Sequence, residues 1–193
     1  MRKMHSMEND NSDETIALAD SVYDALTLDE KFTYTMIHAE NFSQNCDPIP
    51  ERVHEDKRIY GEMPNYFTEY QWSERQLDFL KTNRDSVMQL LRAVFLEQRK
   101  VGMNSLDAIV EMNARQMIPW LIDFYRSDNS NHYILTALMM LMEKNKYPEF
   151  MGSISYNKLY GNLGDNYSAY LVYSKGNEDL IIQRATNFIH TNP

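Results

Sequence analysis

The sequence has little of the residue types that punctuate a sheet-rich fold or crosslink a small one. Its 193 residues include six glycines, six prolines and a single cysteine, Cys46. Because turns between many strands draw on glycine and proline, the scarcity of both favours helices. One thiol cannot form an internal disulfide or a multi-thiolate metal site, so both are excluded, and a free thiol is compatible with a reducing compartment.

Long hydrophobic runs are also missing. The longest, Tyr133 to Met142, is about ten residues long with one polar residue, whereas a helix that crosses a bilayer needs about 20. Residues 1–10 begin with basic side chains but lack the apolar stretch of a signal peptide. We therefore expect a soluble protein without a membrane span, cytoplasmic if Met1 is the native start and extracytoplasmic if a leader was removed before it.

Basic charge is not concentrated anywhere. The net charge is -9, and residues 1–30 carry eight acidic side chains against two basic ones, while residues 51–100 carry nine of each. Without a basic stripe to neutralise phosphates, we expect no nucleic-acid partner. Residues 1–12 are polar and aperiodic, which predicts a flexible acidic tail. The remaining residues 13–193 have the length of one domain.

Apolar residues recur at helical spacing along most of the chain, so we predict an all-α fold of packed antiparallel helices. Two capping boxes, Thr27 with Glu30 and Ser73 with Gln76, mark helix starts. The helix after Thr27 should reach about Asn45, so that His38 and Glu40, two residues apart, would face different sides. The predicted helices begin at or near Asp13, Thr27, Glu51, Ser73, Asn83 (ending at Gly102), Asn104, Pro119, Tyr133 and Asn177.

The stretch from Tyr133 to Met142 is apolar nearly all round, which predicts a helix buried on most sides at the centre of the core. The following segment is broken by proline and glycine, including Gly164. Around Tyr167 to Leu171 the spacing favours one more helix, and a short hairpin within 152–175 is the alternative. A terminal amphipathic helix should bury Ile181, Ala185 and Phe188.

Residues 109–142 contain a distinctive order of apolar side chains. Ile118-Pro119-Trp120-Leu121-Ile122 is followed by a ladder formed by Ile134, Ala137, Leu138 and Leu141. This order resembles one unit of the armadillo and HEAT families, whose second helix opens I-P-x-L-[VI]. No second copy occurs at a period of about 40 residues. The resemblance implies HEAT-like stacking of helical hairpins and protein binding on a groove between them, without catalysis.

Two groups of residues are candidate sites. The first is aromatic, because tyrosine is favoured at interfaces, and consists of Tyr160, Tyr167, Tyr170 and Tyr173. The second is polar and consists of Glu51, His54 and Glu55, with Arg58 as a neighbour: on a helix, Glu51 and Glu55 would lie one turn apart, and so would His54 and Arg58. No H-E-x-x-H or similar spacing supplies further ligands, so we expect no metal, cofactor or catalytic residue.

The leading hypothesis is a non-enzymatic helical module that binds a protein or peptide through the aromatic C-terminal third. The alternative is a small-molecule-binding protein or enzyme with a pocket between helices, lined by tyrosine and methionine and served by the polar group. His132, beside a predicted helix N-terminus, is expected to cap or pack. The sequence leaves the oligomeric state open.

Overall fold

The computed structural model describes residues 16–42, 51–161 and 166–191. The predicted acidic tail (1–12), Asp13, Cys46 and Gly164 lie outside the described residues. Helices contain most of what is described, and the strands there form only two small two-stranded sheets, which confirms a mostly helical fold. None of these helices is both long and apolar enough to cross a membrane.

Within these residues helices are more numerous than strands, and two 3-10 turns occur. The helices are α1 (Asp20–Asp24), α2 (Leu28–Ile37), α3 (Glu74–Thr82), α4 (Arg84–Gln98), α5 (Met103–Glu111), α6 (Ile118–Ser127), α7 (Tyr133–Lys144), α8 (Pro148–Met151), α9 (Ile154–Tyr160) and α10 (Lys175–Thr191), with 3-10 turns at Glu55–Lys57 and Arg115–Met117. The strands are β1 (Asn41–Phe42), β2 (Arg58–Tyr60), β3 (Tyr70–Gln71) and β4 (Tyr170–Val172).

The chain folds as two compact units. The first comprises Met1–Ile49 with Asn65–Glu97, and the second comprises Pro50–Pro64 with Gln98–Pro193. The single domain expected over residues 13–193 stays a prediction.

In the first unit, both capping boxes form as predicted. The Thr27 hydroxyl accepts from the Glu30 amide, the Glu30 carboxylate accepts from the Thr27 amide, and Ser73 and Gln76 repeat the pattern at α3. The helix expected after Asp13 begins only at Asp20. The next helix ends at Ile37 instead of continuing to Asn45.

The early end of α2 follows from strand pairing. The chain is extended at His38, and β1 then pairs antiparallel with β3, with Phe42 opposite Tyr70 and their rings 5.4 Å apart. Aromatic cross-strand pairs stabilise such short ladders, and this pairing is invisible to local helical spacing. Further along the chain, α4 ends at Gln98, and Gly102 is the N-cap of α5 instead of the end of α4, so that prediction is wrong.

In the second unit, α7 is the central helix. Every residue from Tyr133 to Met142 is buried except Met140, which is half-buried. This helix contacts α5, α6, α8, α10 and β2. The buried hub is therefore confirmed, as are the position of Pro119 in the first turn of α6 and the buried stripe of α10.

Two predicted helices of this unit are absent. Residues 51–60 form a 3-10 turn followed by β2, and the segment around Tyr167 leads into β4. These strands pair antiparallel, Ile59 opposite Leu171, so the described part of 152–175 contains neither a helix around Tyr167 nor a local hairpin. Ile59 is fully buried and Leu171 nearly so, and their burial stabilises the pairing.

Candidate functional site

The sheet of the second unit joins the two segments that were predicted as separate sites. Arg58 lies opposite Val172 and Tyr60 lies opposite Tyr170. Since side chains alternate along a strand, these four share one side of the sheet, and Ile59 and Leu171 point to the buried side. The Tyr60 hydroxyl also donates to the Val53 carbonyl at 3.0 Å. We call Val53, Arg58, Tyr60, Tyr170 and Val172 the β2–β4 face.

Exposure differs across the β2–β4 face. Tyr60 is buried and Arg58 and Tyr170 are half-buried, whereas Val172 and Val53 are 58% and 43% exposed. The Arg58 guanidinium lies 4.0 Å from the centre of the Tyr170 ring. The face therefore combines a guanidinium stacked on an aromatic ring with two exposed apolar side chains.

Beside Tyr60 of the β2–β4 face, Arg52 holds three segments together. Its guanidinium lies between the Tyr60 and Tyr167 rings, 4.4 and 4.1 Å from their centres. Nη1 donates to the Glu62 carbonyl at 2.8 Å, and Nη2 donates to the carbonyls of Tyr167 at 2.9 Å and Met63 at 3.4 Å. Sequence reasoning missed Arg52, because a cation in a charged segment is typical of a solvated surface.

The four predicted tyrosines are all half-buried and all make contacts within the unit. Tyr160 donates its hydroxyl proton to the Gly61 carbonyl at 2.5 Å, and burial raises its pKa. Tyr173 stacks on His132 with ring centres 4.1 Å apart and donates to the Glu178 carboxylate at 2.7 Å. The structure brings Tyr170 onto the β2–β4 face and Tyr167 against Arg52. Their role in binding a partner stays a prediction.

The three predicted polar residues do not converge. Glu51, His54 and Glu55 are exposed, and His54 has a left-handed backbone (φ 56°), so the helical spacing expected for them is wrong. Of these three, Glu55 alone has a side-chain hydrogen bond within the described residues, and its partner is the Tyr133 hydroxyl, which donates to it at 2.9 Å. Burial and this hydrogen bond raise the pKa of Tyr133 to about 12.

His132 packs against the same segment. Its Nδ1 lies 3.0 Å from the Glu55 carbonyl oxygen, which requires a proton on Nδ1, and its ring stacks on Tyr173. The His132 side chain makes no capping hydrogen bond at the start of α7. His132 therefore connects the 3-10 turn at Glu55 to the start of α7 and to Tyr173, just after β4.

Asp107 on α5 is a titratable residue that the sequence did not single out. It is half-buried, and burial together with the Glu111 charge one turn later raises the pKa of its carboxyl to about 7, although the positive charge of Arg52 acts in the opposite direction. Strongly shifted carboxyls are concentrated at functional sites, so Asp107 is a candidate. No sequence signal identifies it, because only the fold removes it from water.

We expect Asp107→Asn to stabilise the protein at pH 8 and to change little near pH 4. The carboxyl has a pKa of about 7 in the folded chain against 3.8 ordinarily. Below pH 3.8 the carboxyl is protonated in both the folded and the unfolded state. The stability that the protonated Asp107 contributes is therefore fully present there and is lost as the pH rises towards 7. Asparagine avoids the buried charge, which should gain about 2 kcal/mol at pH 8.

Urea denaturation at a series of pH values measures this difference. The exposed Asp123 on α6 provides the control, since Asp123→Asn should give the same small difference from wild type at every pH. An Asp107→Asn variant no more stable than wild type at pH 8 would contradict the placement of the Asp107 carboxyl.

The first unit contains a buried carboxylate of a different kind. Glu40 is 1% exposed and accepts hydrogen bonds from Arg75 (Nε at 2.9 Å, and Nη2), from Ser73 and from the Tyr34 hydroxyl. Burial raises the pKa of Glu40, but these hydrogen bonds outweigh burial and hold it below its usual value. The His38 ring also packs on Tyr34, so His38 and Glu40 share a neighbour, contrary to expectation.

The partners of Glu40 among the described residues are side chains of the first unit, so this network stabilises that unit. Among the described residues, no group of three or more His, Cys, Asp and Glu side chains could hold a metal ion.

Comparisons reveal no relatives: the chain matches no protein family, no curated protein and no solved structure. The armadillo and HEAT resemblance therefore rests on residues 109–142 alone.

Proposed function

We propose that this chain is a non-enzymatic module that binds a protein or peptide partner through the β2–β4 face. The supporting observation is the composition of that face: Tyr170 and Arg58 are of the types enriched at the energetic centres of interfaces. The exposed Val53 and Val172 lie beside them and supply apolar area that a partner would cover.

We also propose that α5, α6 and α7 pack in the style of an armadillo or HEAT unit. The support is the Ile118-Pro119 opening of α6 and the packing of α7 against both preceding helices. A scaffold of this kind holds the sheet rigidly, because α7 also contacts β2, and a rigid face loses less entropy on binding.

A charge placed on the β2–β4 face should abolish binding. We expect the immobilised Val172→Asp chain to lose the proteins that bind wild type through this face. The new carboxylate removes an apolar contact and lies opposite Arg58, where it can pair with the guanidinium and compete with a partner. Val172 is exposed, so the fold should be unaffected, which circular dichroism and the thermal midpoint check.

The matched control is Ile154→Asp, which puts the same charge on an 89% exposed apolar residue at the start of α9. Quantitative mass spectrometry compares the proteins captured by the three chains. The proposal requires proteins that are retained by wild type and by Ile154→Asp but lost with Val172→Asp. Equal capture by all three chains would exclude the β2–β4 face.

The second candidate is a small-molecule-binding protein or enzyme, and Asp107 is the observation that favours it. Its shifted carboxyl lies near Arg52, whose Nε is buried and has no hydrogen-bond partner among the described residues. A bound small molecule stabilises a protein by mass action, so a metabolite that raises the thermal midpoint of wild type but not of Asp107→Asn would support this function.

A further inference from the structure

Arg58 is the cation of the β2–β4 face that the fold leaves largely unused. A guanidinium has five N–H donors, yet among the described residues only Nη1 donates, to the Tyr60 hydroxyl at a long 3.4 Å. No carboxylate of the described chain forms an ion pair with Arg58. By contrast, Arg75 pairs with Glu40 and Asp20. The Nε and Nη2 edge of Arg58 is therefore available to a partner.

The guanidinium is held in place before any partner arrives. Stacking on Tyr170 at 4.0 Å fixes the plane of the group, and the Tyr60 hydroxyl, itself bonded to the Val53 carbonyl, fixes one end. A planar fork that is already oriented loses little entropy when it forms two parallel hydrogen bonds.

The surroundings of Arg58 favour a single carboxylate over a phosphate. The exposed Glu55 and Asp56 lie close by in sequence with one exposed lysine, Lys57, and the whole chain has a net charge of -9. A doubly charged phosphate would be repelled more strongly than a carboxylate. Next to the guanidinium, Val172 offers an exposed apolar surface.

We propose that the β2–β4 face recognises an acidic peptide segment of its partner. One Asp or Glu carboxylate accepts two hydrogen bonds from the Nε and Nη2 edge of Arg58, and a neighbouring apolar side chain of the peptide covers Val172. This inference rests on the proposed function and gives the partner its chemistry. The anchor is the ion pair, and the apolar contact supplies desolvation around it.

A phage-displayed library of random peptides, selected on the full chain, tests the inference. We expect enriched sequences with Asp or Glu beside an apolar residue. A synthetic peptide of that sequence should bind Arg58→Ala at least tenfold more weakly than wild type. Arg58→Lys should recover only part of the affinity, because an ammonium cannot reproduce the fork. Raised salt should weaken wild-type binding, since screening reduces ion-pair strength.

Arg126→Ala is the control, because Arg126 is an exposed arginine of the same unit that pairs with Asp123 on α6. It should bind the peptide as wild type does, and unchanged thermal midpoints show that the Arg58 variants are folded. The inference is overturned if the selection enriches no peptide or enriches peptides without acidic residues. It is also overturned if Arg58→Ala binds the peptide as tightly as wild type does, or if a phosphorylated peptide binds more tightly than the carboxylate peptide. If the selected peptides are apolar, and Val172→Asp weakens their binding but the Arg58 variants do not, the inference about an acidic segment is wrong and the proposed function still holds.

Discussion

Arg52→Ala is expected to lower the free energy of unfolding by about 3–5 kcal/mol. The substitution removes the donors from three backbone carbonyls, those of Glu62, Met63 and Tyr167, and empties the space between two tyrosine rings. A buried acceptor left without a donor costs about 1–3 kcal/mol; these three carbonyls are part-buried, and the lost cation–π contacts add to the total. Arg52→Lys should recover less than half of the loss, because an ammonium does not match the fork.

Urea denaturation followed by circular dichroism measures the loss, with Arg126→Ala as the exposed-arginine control, expected within about 0.5 kcal/mol of wild type. A loss below about 1 kcal/mol for Arg52→Ala would contradict the role of Arg52 in joining the three segments. Tyr167 packs on the same guanidinium, so Tyr167→Ala would also weaken the fold. Binding tests should therefore use the exposed Val172 instead.

Glu40→Ala is the second substitution with a large expected effect, about 3–5 kcal/mol at neutral pH. It leaves the Arg75 guanidinium half-buried without its main partner and deprives Ser73 and Tyr34 of their acceptor. Removing one member of a buried ion pair costs more than removing both. The double variant Glu40→Ala with Arg75→Ala should therefore be less destabilised than the sum of the single variants.

Because the pKa of Glu40 lies below its usual 4.5 in the folded chain, the stability it contributes is present above that value and is lost as the pH falls. The difference between wild type and Glu40→Ala should shrink accordingly in acid. Glu69→Ala, at an exposed position of the same unit, should differ little from wild type. Strictly additive losses in the double variant would show that Glu40 and Arg75 do not interact.

Local sequence signals predicted the helical part of the fold well. The capping boxes at Thr27 and Ser73 act within four residues, and the apolar run from Tyr133 to Met142 determines the burial of α7 by itself. Strand pairing depends on distant partners instead. Nothing near Arg58 or Tyr170 shows that their segments will meet. The first was predicted as a helix and the second as a helix or, alternatively, a local hairpin, and the two are strands paired with each other.

The candidate site was predictable to the same limited degree. Tyrosine density drew attention to Tyr167, Tyr170 and Tyr173, which lie on or beside the β2–β4 sheet. The polar group failed because its spacing assumed a helix. Arg58 appeared only as a neighbour of that group, and Arg52 and Asp107 were missed, because a side chain is desolvated or stacked only once distant segments have packed around it.

The most direct measurement of the central claim, that the β2–β4 face binds a protein, is site-specific photo-crosslinking in the native cells. A photo-reactive amino acid replaces Val172, and in a parallel chain it replaces the exposed Ile154. We predict discrete covalent adducts from position 172 that disappear when Arg58 is also changed to glutamate, and none of the same mass from position 154. If position 172 gives no adducts, or if positions 172 and 154 give the same adducts, the claim that the β2–β4 face binds a protein is contradicted.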